Sequence, residues 1–268
     1  MALWTKKKVL ITVKAYPQSS KKHQETVCTA GICVDTKEWV RLYPVPFRFL
    51  EDGKQFKKYD VLDVEVTSDG TDGRPESHKI REDTLSICEN IGPDDNWRRR
   101  KEFVLPTLSK SMCEIQREQI SSKKSLGAFK LSKPKDFHWE AVDLSKETDD
   151  AVQLTLFDNN KKQLEKLAYD FRYKYTCDNE PDCTGHDQKI LDWELGEALR
   201  QWRARYSSEQ ETLEKLKEMW LDTMFADEKD PVVFVGNHHL YRQSFMVLGV
   251  FYPKHDGQLN LFNLAGSI

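Results

Sequence analysis

No apolar run in this 268-residue chain approaches the roughly 20 residues that a membrane-spanning helix requires. The first candidate, Val9 to Val13 behind MALWTKKK, contains a threonine and is also too short for the apolar centre of a signal peptide. The expected location is therefore the cytoplasm, with no membrane as partner. An excess of charge is missing too. Lys and Arg number 41 against 44 Asp and Glu, a formal charge of −3, which excludes a uniformly basic coat and leaves only local basic patches. The chain has neither a repeat of supersecondary size nor a low-complexity tract. No set of residues has the spacing of a well-defined catalytic motif, so no reaction can be read directly. Cysteine is scarce: Cys28, Cys33, Cys88, Cys113, Cys177 and Cys183. In a chain without an export signal these read as thiols or metal ligands, not disulfides.

What is present begins with β-branched segments. VLITVKAY (Val9 to Tyr16), ETVCTAGICV (Glu25 to Val34), EWVRLYPV (Glu38 to Val45) and DVLDVEVT (Asp60 to Thr67) read as short strands bounded by turn formers. The Gly-, Asp- and Ser-rich segment after Thr67 reads as an exposed loop. Helices are expected over WRRRKE (Trp97 to Glu102) and Ser109 to Ser122, and a loop or edge strand over the basic stretch Ser121 to Lys135. From about Lys161 to Phe225 helices are expected to dominate. Leu191, Leu195, Leu199, Trp202 and Tyr206 stand at helical spacing, as do Leu213, Leu216, Trp220 and Leu221. VVFVG and FMVLGVFYP then return to strand as a hairpin. The expected fold class is α+β: a small β-barrel whose N-terminal strands are closed by the C-terminal ones, with a helical insertion carrying a metal knuckle. In residue terms, 1–90 form the barrel region, 91–150 a basic mixed segment and 151–230 the helical region. Residues 231–256 return to the barrel, and 257–268 read as a flexible tail.

The sharpest chemical signal is YKYTCDNEPDCTGHDQK, which puts Cys177, Cys183 and His186 within ten residues amid loop-forming Asn, Pro, Asp and Gly. Thiolate and imidazole are the usual ligands of zinc, the expected cofactor, and thiolates also suit an iron–sulfur cluster. Tetrahedral zinc needs a fourth ligand, for which Cys113, His238, His239 and Asp187 are candidates. A site with one open position would activate water, with Asp192 or Glu194 as base.

Basic and aromatic residues supply a second signal. From Trp97 to Lys135 there are eleven Lys or Arg against three acidic residues, densest at Arg98, Arg99, Arg100 and Lys101. Such a patch neutralises phosphates. Trp97, Phe129, Phe137 and Trp139 lie among or beside it, where aromatics suit stacking on unpaired bases. In RLYPVPFRF, Arg41 and Arg48 flank Tyr43 and Phe47, a candidate rim for a base pocket. Asp63, Glu65 and Glu76 are the carboxylates that a metal-dependent nuclease would need.

Two pentapeptides, QLTLF at Gln153 to Phe157 and QLNLF at Gln258 to Phe262, resemble the linear motif by which bacterial replication and repair proteins dock on the DNA polymerase sliding clamp. The resemblance implies that Leu259, Leu261 and Phe262 fill an apolar pocket while Gln258 bonds at its rim. The β-rich start, the C-terminal return to strands and the helices between them resemble a PUA/ASCH-type barrel. Proteins of that superfamily bind RNA or read modified bases. RLYPVPFR and the Cys183–Thr–Gly–His186 segment also look like those of prokaryotic proteins from mobile or defence-type neighbourhoods. The expectation is a nucleic-acid-binding accessory protein of bacterial or phage origin. The alternatives are a metal-dependent nuclease or hydrolase, and a protein-interaction subunit that does not bind nucleic acid.

Overall fold

The computed structural model describes residues 3–16, 27–68, 70, 72–143 and 166–256. β1 (Thr5–Lys14), β2 (Val27–Cys33), β3 (Trp39–Val45), β4 (Asp60–Thr67) and β5 (Ser77–Ile80) pair in the order β1-β2-β3-β5-β4, and β4 returns to β1, closing a ring. β1 is long enough to serve two neighbours: Thr5 to Leu10 face β4, and Val9 to Lys14 face β2. A register shift between Ile11 and Val13 bends the strand where it passes from one to the other. A Cβ on Gly31 would lie 2.2 Å from the Leu10 carbonyl oxygen, so bare backbone is what lets β2 approach this bend. Val9, Ile11, Leu42, Leu62, Val64 and Phe56 belong to the apolar cluster that fills the ring. β6 (Ser86–Asn90) extends the sheet along β4.

The α+β class, the small barrel and the helical region beside a Cys/His cluster are as the sequence implies. The closure is different. The stretch read as an exposed loop contributes β5, which pairs in parallel with β3 and antiparallel with β4 and so completes the ring. With β2 on one side of β1 and β4 on the other, no edge is left for the C-terminal strands. Those strands, β12 (Val232–Asn237) and β13 (Phe245–Phe251), do form the expected antiparallel hairpin. They build a second sheet with β7 (Leu108–Ser109) and β8 (Leu126–Lys130), in the order β13-β12-β8-β7. β8 is therefore an interior strand of four buried residues and one exposed one, not a loop or an edge. This sheet lies against the outside of the ring, where Leu10, Val13 and Ile32 meet Leu126, Phe234 and Phe251.

A third sheet, β11-β10-β9, contains β9 (Asp136–Ala141), β10 (Tyr169–Tyr175) and β11 (His186–Lys189). The expectation of helix from Lys161 onward fails over β10 and β11. Phe171, Tyr173 and Tyr175 are buried at a period of two, the strand repeat. Helices do follow: α3 (Trp193–Trp202), capped by the Asp192 carboxylate, and α4 (Glu209–Lys217), capped by Ser208 and running on as a π-helical turn, Glu218–Thr223. Gly196 inside α3 has a packing reason, since a Cβ there would stand 2.1 Å from the Tyr16 ring. Two earlier helices, α1 (Asp94–Val104) and α2 (Met112–Ser122), flank β7 in the chain. No described helix is long and apolar enough to cross a membrane.

Candidate metal centre

The hairpin of β10 and β11 ends in a loop that carries Cys177 and Cys183, and His186 opens β11. Gly185 takes a left-handed φ of +103° just before the histidine, a turn that only glycine makes without strain. The fourth residue is Cys113, in the first turn of α2, behind the Ser111 cap. The donor atoms of Cys113, Cys177, Cys183 and His186 all lie within 4.8 Å of one another. Cys113 Sγ is 3.9 Å from Cys177 Sγ, and both are 3.4 Å from His186 Nε2. The Cys177 backbone N–H donates to Cys183 Sγ from 3.3 Å.

The loop is tied down on both sides. Glu180 accepts from the Ser111 hydroxyl and from Arg117, binding the loop to α2, and Asp178 accepts from the Ser132 backbone N–H. Burial pushes the Cys113 thiol up to about 12, reinforced by hydrogen bonds and charge from its two sulfur neighbours. Burial also raises Cys177. Cys183 falls below its ordinary value although burial opposes this, because the backbone N–H groups of Cys177 and Gly185 donate to its sulfur. Burial depresses His186, which keeps its imidazole neutral and free to act as a ligand. Three crowded thiols and a neutral imidazole fit a bound cation, which removes the repulsion among thiolates.

Among the other proposed fourth ligands, Asp187 pairs with Arg172 and His239 with Asp72. His238 uses Nδ1 to accept the Leu240 and Tyr241 backbone N–H groups. Asp192 and Glu194, the expected bases, are both bound by Lys58, at 2.8 and 2.9 Å. The nuclease carboxylates do not gather. Asp63 pairs with Lys6, Glu65 with Arg81, and Glu76 accepts from the backbone and hydroxyl of Ser125. Among the described residues the Cys/His group is the one cluster with the makings of a metal site.

The expected nucleic-acid residues are largely consumed by the fold. Arg100 is buried, donates to the Ile91 carbonyl and lies 3.7 Å from the Tyr59 ring centroid. Arg98, Arg99 and Lys101 pair with Asp95, Glu89 and Asp256. Arg41 is buried, with one guanidinium nitrogen on Cys28 Sγ and the other on the Ser125 carbonyl. Phe47 packs edge-on against Phe56 and Trp193 inside the core. Tyr43 and Arg48 are half-buried and each is engaged. Phe129 and Phe137 are core residues, and Trp97 packs on Phe251. Both QLxLF segments, with Gln258, Leu259, Leu261 and Phe262, lie outside the described residues.

Sequence reasoning missed the polar seam between the ring and the second sheet. Arg74 binds Asp72 and the Asn237 carbonyl, and Arg41 and Glu76 meet at Ser125. Residue type alone carries no signal for contacts spanning up to 163 positions in sequence.

A closed ring joined to a second α+β part with a Cys/Cys/Cys/His cluster is the class of protein defined by these features. A family model described as a domain of unknown function (DUF8758) matches residues 5–106, the ring and α1. A second, described as a domain of unknown function (DUF8757), matches residues 108–265, more than half of the chain, and the protein belongs to that family. All four cluster residues fall within the second match. No curated protein matches the chain.

Proposed function

We propose that Cys113, Cys177, Cys183 and His186 hold one structural zinc ion, and that the protein works as a nucleic-acid-binding module in which the metal is scaffold and not catalyst. The closed set of four protein donors carries this reading. With Zn–S bonds of about 2.3 Å and Zn–N bonds of about 2.0 Å, a tetrahedron has edges of roughly 3.8 Å between sulfurs and roughly 3.5 Å between sulfur and nitrogen. The spacings here are 3.9, 3.4 and 3.4 Å. Four protein ligands leave no position at which zinc would activate water. An iron–sulfur cluster interposes its own sulfides between the thiolates and needs a wider cradle.

The partner is inferred from the turn between β12 and β13. There Tyr241 is 69% exposed and stacks on His238 with ring centroids 5.2 Å apart. Leu240 and, on α2, Ile120 are as exposed, Gln243 donates to Gln119 and so links the turn to α2, and the exposed Lys123 follows at the C-terminal end of that helix. Exposed aromatic faces beside a cation suit unpaired bases.

Elemental analysis of the full chain tests the first half: one zinc per chain, lost in Cys177→Ser/Cys183→Ser. Fluorescence anisotropy with single-stranded DNA and RNA tests the second. Tyr241→Ala weakens binding roughly tenfold, in line with one stacked base. No binding of either strand at low salt overturns the partner and favours the protein-interaction reading, for which the same exposed residues supply the surface.

A further inference from the structure

We propose that Lys14 is a reactive amine that captures an aldehyde as an imine, in a site between the end of β1 and the start of α3. Two lysines are buried at this junction, and they are treated differently. Lys58 binds two carboxylates, Asp192 and Glu194. Lys14 is only 8% exposed, yet its ammonium has no hydrogen bond or ion pair among the described residues. It sits instead over two rings, 4.0 Å from the Phe47 centroid and 4.4 Å from that of Trp193. Aromatic faces stabilise the cation but accept no proton from it. Proteins almost never bury lysine without a partner, because the desolvated charge is costly.

The consequence for reactivity is direct. Burial brings the Lys14 amine down to about 8, with the positive charge of Lys58 acting in the same direction. At pH 7.5 about a quarter of such amines are neutral, against roughly one in a thousand for an exposed lysine. Glu194 exerts the largest charge effect on Lys14 of any carboxylate, and its side chain is 53% exposed, at the outer lip of the site. Despite burial, Lys58 and Lys14 keep Glu194 ionised below its ordinary range. The Phe47 and Trp193 rings wall the amine and favour an aldehyde with an apolar or aromatic substituent.

The step balances without a further reactant. The neutral nitrogen adds to the carbonyl carbon, and the carbonyl oxygen takes up a proton, giving a carbinolamine. The nitrogen then expels the hydroxyl, which leaves as water, and a C=N bond replaces the C=O bond. Solvent carries the proton from nitrogen to the departing oxygen. The inference rests on neither the zinc nor the nucleic-acid reading.

The test uses the full-length protein with substoichiometric benzaldehyde and cyanoborohydride as the trapping reductant, followed by peptide mapping. Lys14 is expected to be labelled at least about tenfold faster than the exposed Lys8 at pH 7.5, with a rate that levels off above about pH 8. Labelling of Lys14 no faster than Lys8 overturns the proposal.

Discussion

The two halves of this chain close themselves by different means. Strands β1 to β5 close on themselves by backbone pairing, each of the five having a neighbour on both sides. Among the described residues of the half that follows, β9 and β11 stand at the edges of their sheet, and α2 meets the β10–β11 loop through Cys113, the contacts of Glu180 and the buried Met112 and Ile115. A ring needs no cross-link, whereas a helix resting on a hairpin tip does. On the proposed zinc reading, coordination does for the second half what ring closure does for the first.

The largest expected effect breaks that comparison. Cys113→Ser removes the proposed ligand on α2, and on the zinc reading it should cost at least about 4 kcal/mol, a fraction of the free energy of structural zinc binding. Hydrogen exchange is the readout: protection falls first in α2, β10 and β11 and is retained in β1 to β4. A uniform loss across both halves would show them to be one cooperative unit with no division of labour.

Next in size are the buried charges that join the halves. Lys58→Ala leaves Asp192, the cap of α3, without its partner, and Arg41→Ala leaves the buried Ser125 carbonyl without the guanidinium. Each should destabilise by about 3–5 kcal/mol in urea unfolding, the cost of leaving a buried group uncompensated. A cost below about 1 kcal/mol for either would show the seam to be solvated.

Lys14 sharpens the contrast in the opposite direction. Its folded-state value is held at about 8, below the 10.5 of the free amine. Well below pH 8 both states are protonated and the folded state carries the whole penalty. As pH rises from 8 towards 10.5 the unfolded chain binds more protons, so stability rises, and above 10.5 the penalty is gone. Lys14→Met should therefore stabilise by about 1–3 kcal/mol at pH 7 and by almost nothing above pH 10.5. Destabilisation at pH 7 would mean that the ammonium is well accommodated.

The smallest effects belong to α1. Arg98 and Arg99 form exposed pairs with Asp95 and Glu89. Replacing either by alanine should change stability by less than about 0.5 kcal/mol and leave the salt dependence of oligonucleotide binding as it was. A flatter salt dependence would return the interface to α1.

How much of this was legible in the sequence depends on whether contacts are local. Asp60 to Thr67 alternates clearly and is a strand over those very residues. β5 was hidden because four residues among Gly, Asp and Ser carry no strand pattern, and its parallel pairing with β3 is set by the ring. β10 was read as helix although Phe171, Tyr173 and Tyr175 alternate, a period that the neighbouring helical spacing obscured. Cys177, Cys183 and His186 were visible as a group because the loop brings them together. Cys113 was one of four candidates, and only the packing of α2 on the hairpin selects it. Arg41, Arg100 and Phe47 are buried although the sequence reads them as surface groups, because residue type says nothing about which face a side chain takes. Lys14 left one trace, a lysine ending the apolar run from Val9 to Val13.

X-ray absorption at the zinc edge of the purified full chain tests the central claim most directly. The account predicts one zinc per chain with three sulfurs at about 2.3 Å and one nitrogen at about 2.0 Å. A protein without zinc, or a zinc shell with fewer than three sulfurs and an added oxygen, would contradict it.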